Sequence, residues 1–180
     1  DFALCSQIAQ AGGQSEIAPA RLAGIKAIVM DFDGVHTDNL VLTDQNGVES
    51  VRTSRGDGMG MQLLRESGRY QMMILSKERN PVVLKRAEKL QLEVHHSVDD
   101  KVAALEAWLA ERGLTWADLL YVGNDINDQG AMEHAGLSAC PSDSHPQILG
   151  LADWILPQPG GKGALRAMAD VLQSNWARTR

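Results

Sequence analysis

The chain has 180 residues, 44% of them hydrophobic, which is enough to bury one full core, so a single main domain is expected. A net charge of -6 and a pI near 5.3 argue against a nucleic-acid-binding surface. No apolar run approaches membrane-spanning length, and two cysteines, Cys5 and Cys140, make no disulfide framework, which fits a reducing cytoplasm. Residues 1–24 read as a short helix and a linker, since Phe2-Ala3-Leu4-Cys5 gives way to Ala11-Gly12-Gly13-Gln14-Ser15. They lack the basic-then-apolar order of a signal peptide. Lys26 to Phe32 is predicted as the first strand. Leu40–Thr43 and Val48–Thr53 flank Asp44-Gln45-Asn46-Gly47, a hairpin signal. Met59–Ser67 is a predicted helix and Gln71–Leu75 a strand. Asn80-Pro81 opens a helix through Leu90, and Leu92–His96 is the third parallel strand. Val98-Asp99-Asp100 caps a helix from Lys101 to Glu111, which Gly113 ends. Leu119–Val122 and Leu137–Cys140 are strands around a helical stretch from Ile126 to Ala135. Asp153–Leu156 is a further short strand, and Gly163–Trp176 closes the chain as a helix. This alternation predicts an α/β fold: a doubly wound, Rossmann-like parallel sheet, helices on both faces, with a β-hairpin insertion.

The first strand carries the sharpest signal. Ile28-Val29-Met30 runs into Asp31-Phe32-Asp33-Gly34. Residues i and i+2 of a strand share a face, so the two acids are expected to converge. Close carboxylates repel unless a cation lies between them, which points to a divalent-metal site. Further polar residues recur at strand ends: Ser76 after the second strand, Asp125 and Asp128 after the fourth. Lys101 starts the helix after the third. A parallel sheet brings these ends to one edge. Acids for a hard cation, a hydroxyl and an ammonium together are equipment for holding a phosphoryl group. Taken singly, Ser76, Asp125 and Asp128 also read as helix caps, and Lys101 as a solvated lysine.

In this order the motifs resemble the haloacid dehalogenase superfamily of phosphotransferases from Ile25 to Trp176. Asp31-Phe32-Asp33-Gly34-Val35-His36-Thr37-Asp38 is similar to its first motif, Leu75-Ser76 to its second, Asp100-Lys101 to its third, and Gly123-Asn124-Asp125-Ile126-Asn127-Asp128 to its fourth. Thr37-Asp38, Gly56-Asp57-Gly58-Met59-Gly60 and Gly160-Gly161-Lys162-Gly163-Ala164 resemble the capless branch acting on Kdo 8-phosphate, and the related phosphatase domain at the C-terminus of CMP-sialate synthetases. Asp1-Phe2-Ala3-Leu4 resembles the last helix of a sugar nucleotidyltransferase domain, so residues 1–24 are expected to be a leader, or the tail of an upstream domain, before a phosphatase domain over 25–180. His36 and Ser76-Lys77-Glu78 depart from the pattern of these relatives.

The resemblance implies an aspartyl-phosphate mechanism. Asp31 is the nucleophile and Asp33 the general acid and base. Mg²⁺ is held by Asp31, Asp33 (through its carbonyl) and Asp125, and the phosphoryl oxygens by Ser76 and Lys101. Asp128, Asn124, Thr37, Asp57, Gly160, Gly161 and Lys162 are supporting or substrate-binding candidates; Asp57 reads equally as an N-cap. The implied substrate is a phosphorylated sugar acid, N-acylneuraminate 9-phosphate or 3-deoxy-D-manno-octulosonate 8-phosphate. The spacings leave no room for a cap domain, so a homo-oligomer, a tetramer by resemblance, is expected to close the site through the hairpin. No membrane or nucleic-acid partner is expected. The alternatives are a non-catalytic oligomerisation or regulatory domain of a synthetase, and a phosphoryl-accepting receiver. Gly161-Lys162-Gly163 lacks P-loop spacing, and His95-His96 face opposite sides of a strand.

Overall fold

The computed structural model describes residues 17–178; the leader helix predicted before them lies outside the described residues. In chain order the elements are α1 (Pro19–Gly24), β1 (Ala27–Met30), β2 (Thr37–Thr43), β3 (Glu49–Thr53), α2 (Arg55–Glu66), β4 (Gln71–Leu75), α3 (Val82–Leu90) and β5 (Glu93–His95). There follow α4 (Lys101–Glu111), β6 (Leu119–Val122), α5 (Gln129–His134), β7 (Leu137–Cys140), α6 (Pro146–Leu151), β8 (Trp154–Ile155) and α7 (Ala164–Arg178). Six strands form one sheet in the order β5-β4-β1-β6-β7-β8, and every neighbouring pair is parallel. β2 and β3 form a separate antiparallel ribbon.

Side-chain parity along β1 builds two cores. Ala27 and Val29 join Leu105, Trp108, Tyr121 and Met132 on the α4–α5 face. Ile28 and Met30 join Met61, Leu64, Leu165 and Met168 on the α2–α7 face. A strand covered on both faces must be apolar throughout, as β1 is. Caps set the helix starts: Ser54 accepts from the Asp57 amide at 3.2 Å, and Asp100 from the Ala103 amide at 3.0 Å. Asp44 closes the hairpin turn by accepting from the Asn46 and Val48 amides.

Several boundaries differ from the sequence reading. β1 ends at Met30 rather than Phe32, because the chain turns immediately: the amides of Val35, His36 and Thr37 all donate to the Phe32 carbonyl. Asp33 therefore sits in a tight loop, not on a strand face. The ribbon starts earlier than expected, at Thr37, and α2 at Arg55, where Ser54 supplies the cap. Ile126–Asp128 is a 3₁₀ turn before α5. Two short helices were not anticipated, α1 and α6, each with proline in its first turn. α1 replaces part of the expected linker. Its Leu22 is buried in the core, and Arg21 bonds both oxygens of Asp153 and the Gly136 carbonyl.

Candidate active site

The order of the sheet reverses around β1, whose neighbours are β4 and β6. Such a switch point leaves a crevice at the carboxyl ends of the strands. The register makes those ends level, since Met30 pairs with both Ile74 and Val122. One step further on stand Asp31, Leu75 and Gly123, and then Ser76 and Asn124. These ends line a cleft of about 420 Å³ with Asp31, Asp33, Ser76, Asn124 and Asp125 on its walls. Among the described residues no cap domain stands over it: β1 and β4 are joined through the ribbon and α2 alone, β4 and α4 through α3 and β5 alone.

Asp31 continues the parity of Ala27 and Val29, so it points to the α4 side. There the Lys101 ammonium, also buried, meets its Oδ1 at 2.9 Å and Asp128 Oδ1 at 2.7 Å. Asp128 is fully buried and accepts from four donors. Tyr121 Oη gives 2.7 Å and Lys101 Nζ 2.7 Å to one oxygen; the Asn124 and Asp125 amides give 2.9 and 3.4 Å to the other. Asp128, one of the supporting candidates, therefore holds the Lys101 ammonium. Burial works against the charge on Lys101, but Asp31 and Asp128 outweigh it and hold the ammonium above its usual range. Burial, then the Asp128 charge, push Asp31 up to about 7 against the opposing Lys101. Two carboxylates share one ammonium here, and the surplus negative charge is what an added cation would offset.

Asp33 is half-buried. Burial and then Glu78 raise its pKa, so it keeps its proton to higher pH than a free aspartate. Its Oδ1 accepts from Thr37 Oγ1 at 3.4 Å, and Thr37 Oγ1 in turn accepts from the Gly34 and Asn39 amides at 3.1 and 3.2 Å. Gly34 holds φ of +74°, and a Cβ there would lie 1.9 Å from Asn124 Nδ2. Only glycine permits that approach of the two motif loops. The carboxamide of Asn124 is buried beside it, with Oδ1 lacking a partner. Ser76 faces the cleft and its Oγ accepts from the Glu78 amide at 3.0 Å, leaving its hydroxyl proton to donate.

Among the described residues no three His, Cys, Asp or Glu side chains already converge as a metal cluster. The ligand set implied by the resemblance needs only two side chains, Asp31 and Asp125, with a backbone carbonyl from Asp33. Hard oxygen donors on one cleft wall and the surplus charge around Asp31 fit a divalent cation of the Mg²⁺ type.

Not every candidate lies in the cleft. Asp57 neither lines the cleft nor caps its own helix, which Ser54 caps. It is buried in the first turn of α2, with its carboxylate turned to the start of α7. Gly160 and Gly161 lie against the backbone of Gly34–Asp38, while the Lys162 side chain is exposed. Conversely, sequence reasoning passed over Tyr121, Asn39 and Glu78. A tyrosine inside an aliphatic strand was the available signal, since a buried hydroxyl needs a partner. Asn39 carried none, and Glu78 only its part in the departure of Ser76-Lys77-Glu78 from the relatives' pattern.

The sequence model of the haloacid dehalogenase-like hydrolases matches residues 69–168, which include the Ser76, Lys101 and Asp125–Asp128 segments of this cleft. The chain belongs to the haloacid dehalogenase-like hydrolase family. This hydrolase is of the phosphatase type. It is 29% identical over 154 residues to the 3-deoxy-D-manno-octulosonate 8-phosphate phosphatase KdsC of Escherichia coli K12, covering 85% of this chain and 81% of that protein. A HAD-family hydrolase from Streptomyces avermitilis is 44% identical with a TM-score of 0.81, covering 83% of this chain and 85% of that one. A 3-deoxy-D-manno-octulosonate 8-phosphate phosphatase from Moraxella catarrhalis, solved with magnesium, phosphate and KDO, shares 26% identity with a TM-score of 0.83 over 87% of this chain and 90% of its own. The hydrolase shares its fold with these relatives, as the sheet order and motif positions anticipate.

Proposed function

We propose that this hydrolase removes phosphate from a phosphorylated sugar acid, 3-deoxy-D-manno-octulosonate 8-phosphate or a close analogue, with Mg²⁺ as cofactor. The observation that carries the reading is the buried Asp31–Lys101–Asp128 cluster at the switch point, with Asp33 two residues from Asp31 on the same cleft. The similarity to KdsC supports the substrate class; N-acylneuraminate 9-phosphate remains the competing substrate.

In this reading Asp31 attacks phosphorus in line, and the bond to the sugar oxygen breaks. Asp33 gives its proton to that oxygen, which suits a carboxyl whose pKa is raised. Asp33 then takes a proton from water as the water oxygen attacks phosphorus, freeing phosphate and Asp31. Lys101 and Ser76 hold the phosphoryl oxygens, and Asp128 fixes the Lys101 ammonium so that it need not reorganise. Mg²⁺, held by Asp31, the Asp33 carbonyl and Asp125, would neutralise phosphoryl charge. The ribbon β2–β3 exposes Leu40, Val41, Leu42 and Val48, each more than half accessible, which supports a homo-oligomer, proposed as a tetramer, that closes the open cleft. No described helix is long and apolar enough to cross a membrane, in keeping with a proposed cytoplasmic setting.

The test is phosphate release across phosphorylated sugar acids with and without Mg²⁺. Octulosonate 8-phosphate should be the best substrate, chelation should stop turnover, and Asp31→Asn should reduce it by orders of magnitude in a folded protein. Faster release from N-acylneuraminate 9-phosphate would reassign the substrate. Undiminished release by Asp31→Asn would reject the chemistry, and no release from any substrate would favour a regulatory domain.

A further inference from the structure

Asp57 is buried in the first turn of α2, yet its carboxylate serves a distant segment. Oδ2 accepts from the Gly163 amide at 3.2 Å and Oδ1 from the Arg166 amide at 2.8 Å. These are donors at the start of α7, more than a hundred residues away, which an anion there complements. The segment just before them packs on the loop that carries Asp33. The Gly161 amide donates to the Val35 carbonyl at 3.1 Å. A Cβ on Gly160 would lie 1.9 Å from the Gly34 carbonyl oxygen, so the two backbones touch. Within that loop Thr37 Oγ1 gathers the Gly34 and Asn39 amides and donates to Asp33. An unbroken series of contacts thus runs from Asp57 through Gly160–Gly163 and Gly34–Thr37 to the Asp33 carboxyl.

We propose that Asp57 is a positioning residue for Asp33: it clamps the glycine segment before α7 onto the Gly34–Thr37 loop and so fixes the proton donor against the leaving oxygen. The inference rests on the phosphatase reading above for its kinetic consequence, though not for the structural coupling. A carboxylate is suited to the task because one side chain must hold two amides on a different element at once. A residue that merely capped α7 would stabilise the fold and affect every substrate alike.

The experiment compares Asp57→Ala and Asp57→Asn with the parent chain, at a temperature where circular dichroism shows each variant folded. Two quantities are read: kcat and KM on a phosphorylated sugar acid and on an activated aryl phosphate, and hydrogen exchange resolved at single amides. Displacing a reacting group by about 1 Å can cost about 100-fold. Asp57→Ala should therefore lower kcat on the sugar phosphate by roughly 10–100-fold with KM nearly unchanged. The aryl phosphate, whose leaving group needs no proton, should lose much less. Exchange should accelerate at Gly34, Asn39 and Gly161 as well as at Gly163 and Arg166. Asp57→Asn keeps one accepting oxygen and should show the same pattern at smaller amplitude; it carries both readouts if the alanine variant does not fold. Equal losses on the two substrates would overturn the proposal. So would faster exchange at Gly163 and Arg166 with none at Gly34 and Gly161. A parent chain inactive on every phosphate ester would instead count against the phosphatase reading, and exchange would still decide the coupling.

Discussion

At the scale of single residues, the cleft separates two aspartates that the sequence presents as a pair. Asp31 is fixed by Lys101, whereas Asp33 is held in a loop by Thr37 and its pKa is raised by burial and then Glu78. Their substitutions should therefore differ. General acid-base catalysis contributes about 10²–10⁴-fold, and only where the leaving group needs a proton. Asp33→Asn should slow a sugar phosphate by about that factor and an activated aryl phosphate far less; parallel rate measurements check this, and equal losses would remove the proton-transfer role. His36 behaves differently again. It is 1% exposed, stacks on Phe32, and neither ring nitrogen has a partner. Burial, then Arg86, lower its pKa from 6.5 to about 3. The unfolded chain thus binds a proton that the folded chain refuses between these values. Stability is complete above pH 6.5 and is lost as pH falls toward 3. At pH 5 the loss from this group is about 2 kcal/mol. His36→Leu keeps an apolar contact with Phe32 and removes two unpaired polar atoms. Urea unfolding at pH 5 and pH 8 should show the variant gaining stability, more at pH 5 than at pH 8. A gain that is the same at both pH values would contradict the assigned protonation.

At the scale of elements, most strands and long helices follow from local pattern and caps. The apolar run of β1, the Asp44–Gly47 turn, Asp100 before α4 and Gly113 after it all act within a few residues. The short helices α1 and α6 were harder to read. Six residues are too few to show a helical period, and their stability comes from packing. α1 illustrates this: Leu22 is buried against the α2–α7 core, and Arg21 reaches Asp153 beside β8. Removing a buried leucine side chain typically costs about 2–5 kcal/mol. Leu22→Ala should lower unfolding stability by that amount in a urea titration while leaving the rate on an aryl phosphate unchanged below the transition. A loss below about 1 kcal/mol would mean that α1 is not part of the cooperative core.

At the scale of the whole molecule, an open cleft and an apolar ribbon stand together. Leu40, Val41, Leu42 and Val48 are exposed on a two-stranded ribbon, and Arg52 ties its base to Asp38. Such a ribbon is marginal alone in water, and its edges can pair with another chain. Shortening it between Leu40 and Thr53 to a tight turn should dissociate the proposed oligomer, seen by light scattering. Sugar-phosphate turnover should fall, and hydrolysis of a small aryl phosphate should survive. A fully active monomer of the intact chain would end the oligomer proposal.

The sequence alone determined the identity and order of the motif residues. Asp31, Ser76, Lys101 and Asp125 were legible because each follows a strand or opens a helix, and parallel strands bring those positions to one edge. That the described segments between the motifs hold no cap domain was legible too, because chain length between motifs limits what can be inserted. Tertiary structure alone decided what joins the pieces. Asp33 reaches the cleft from a turn, since the chain leaves the strand at Met30 to satisfy three amides on the Phe32 carbonyl. Tyr121 and Lys101 meet on Asp128 because strand parity turns Tyr121 to the face that α4, which Lys101 opens, covers. Asp57 turns away from its own helix, because two amides at the start of α7 lie within hydrogen-bonding reach of its carboxylate and Ser54 already caps α2. Local pattern specifies which backbone positions share an edge or a face; which side chain satisfies a given buried donor depends on contacts between residues far apart in the chain.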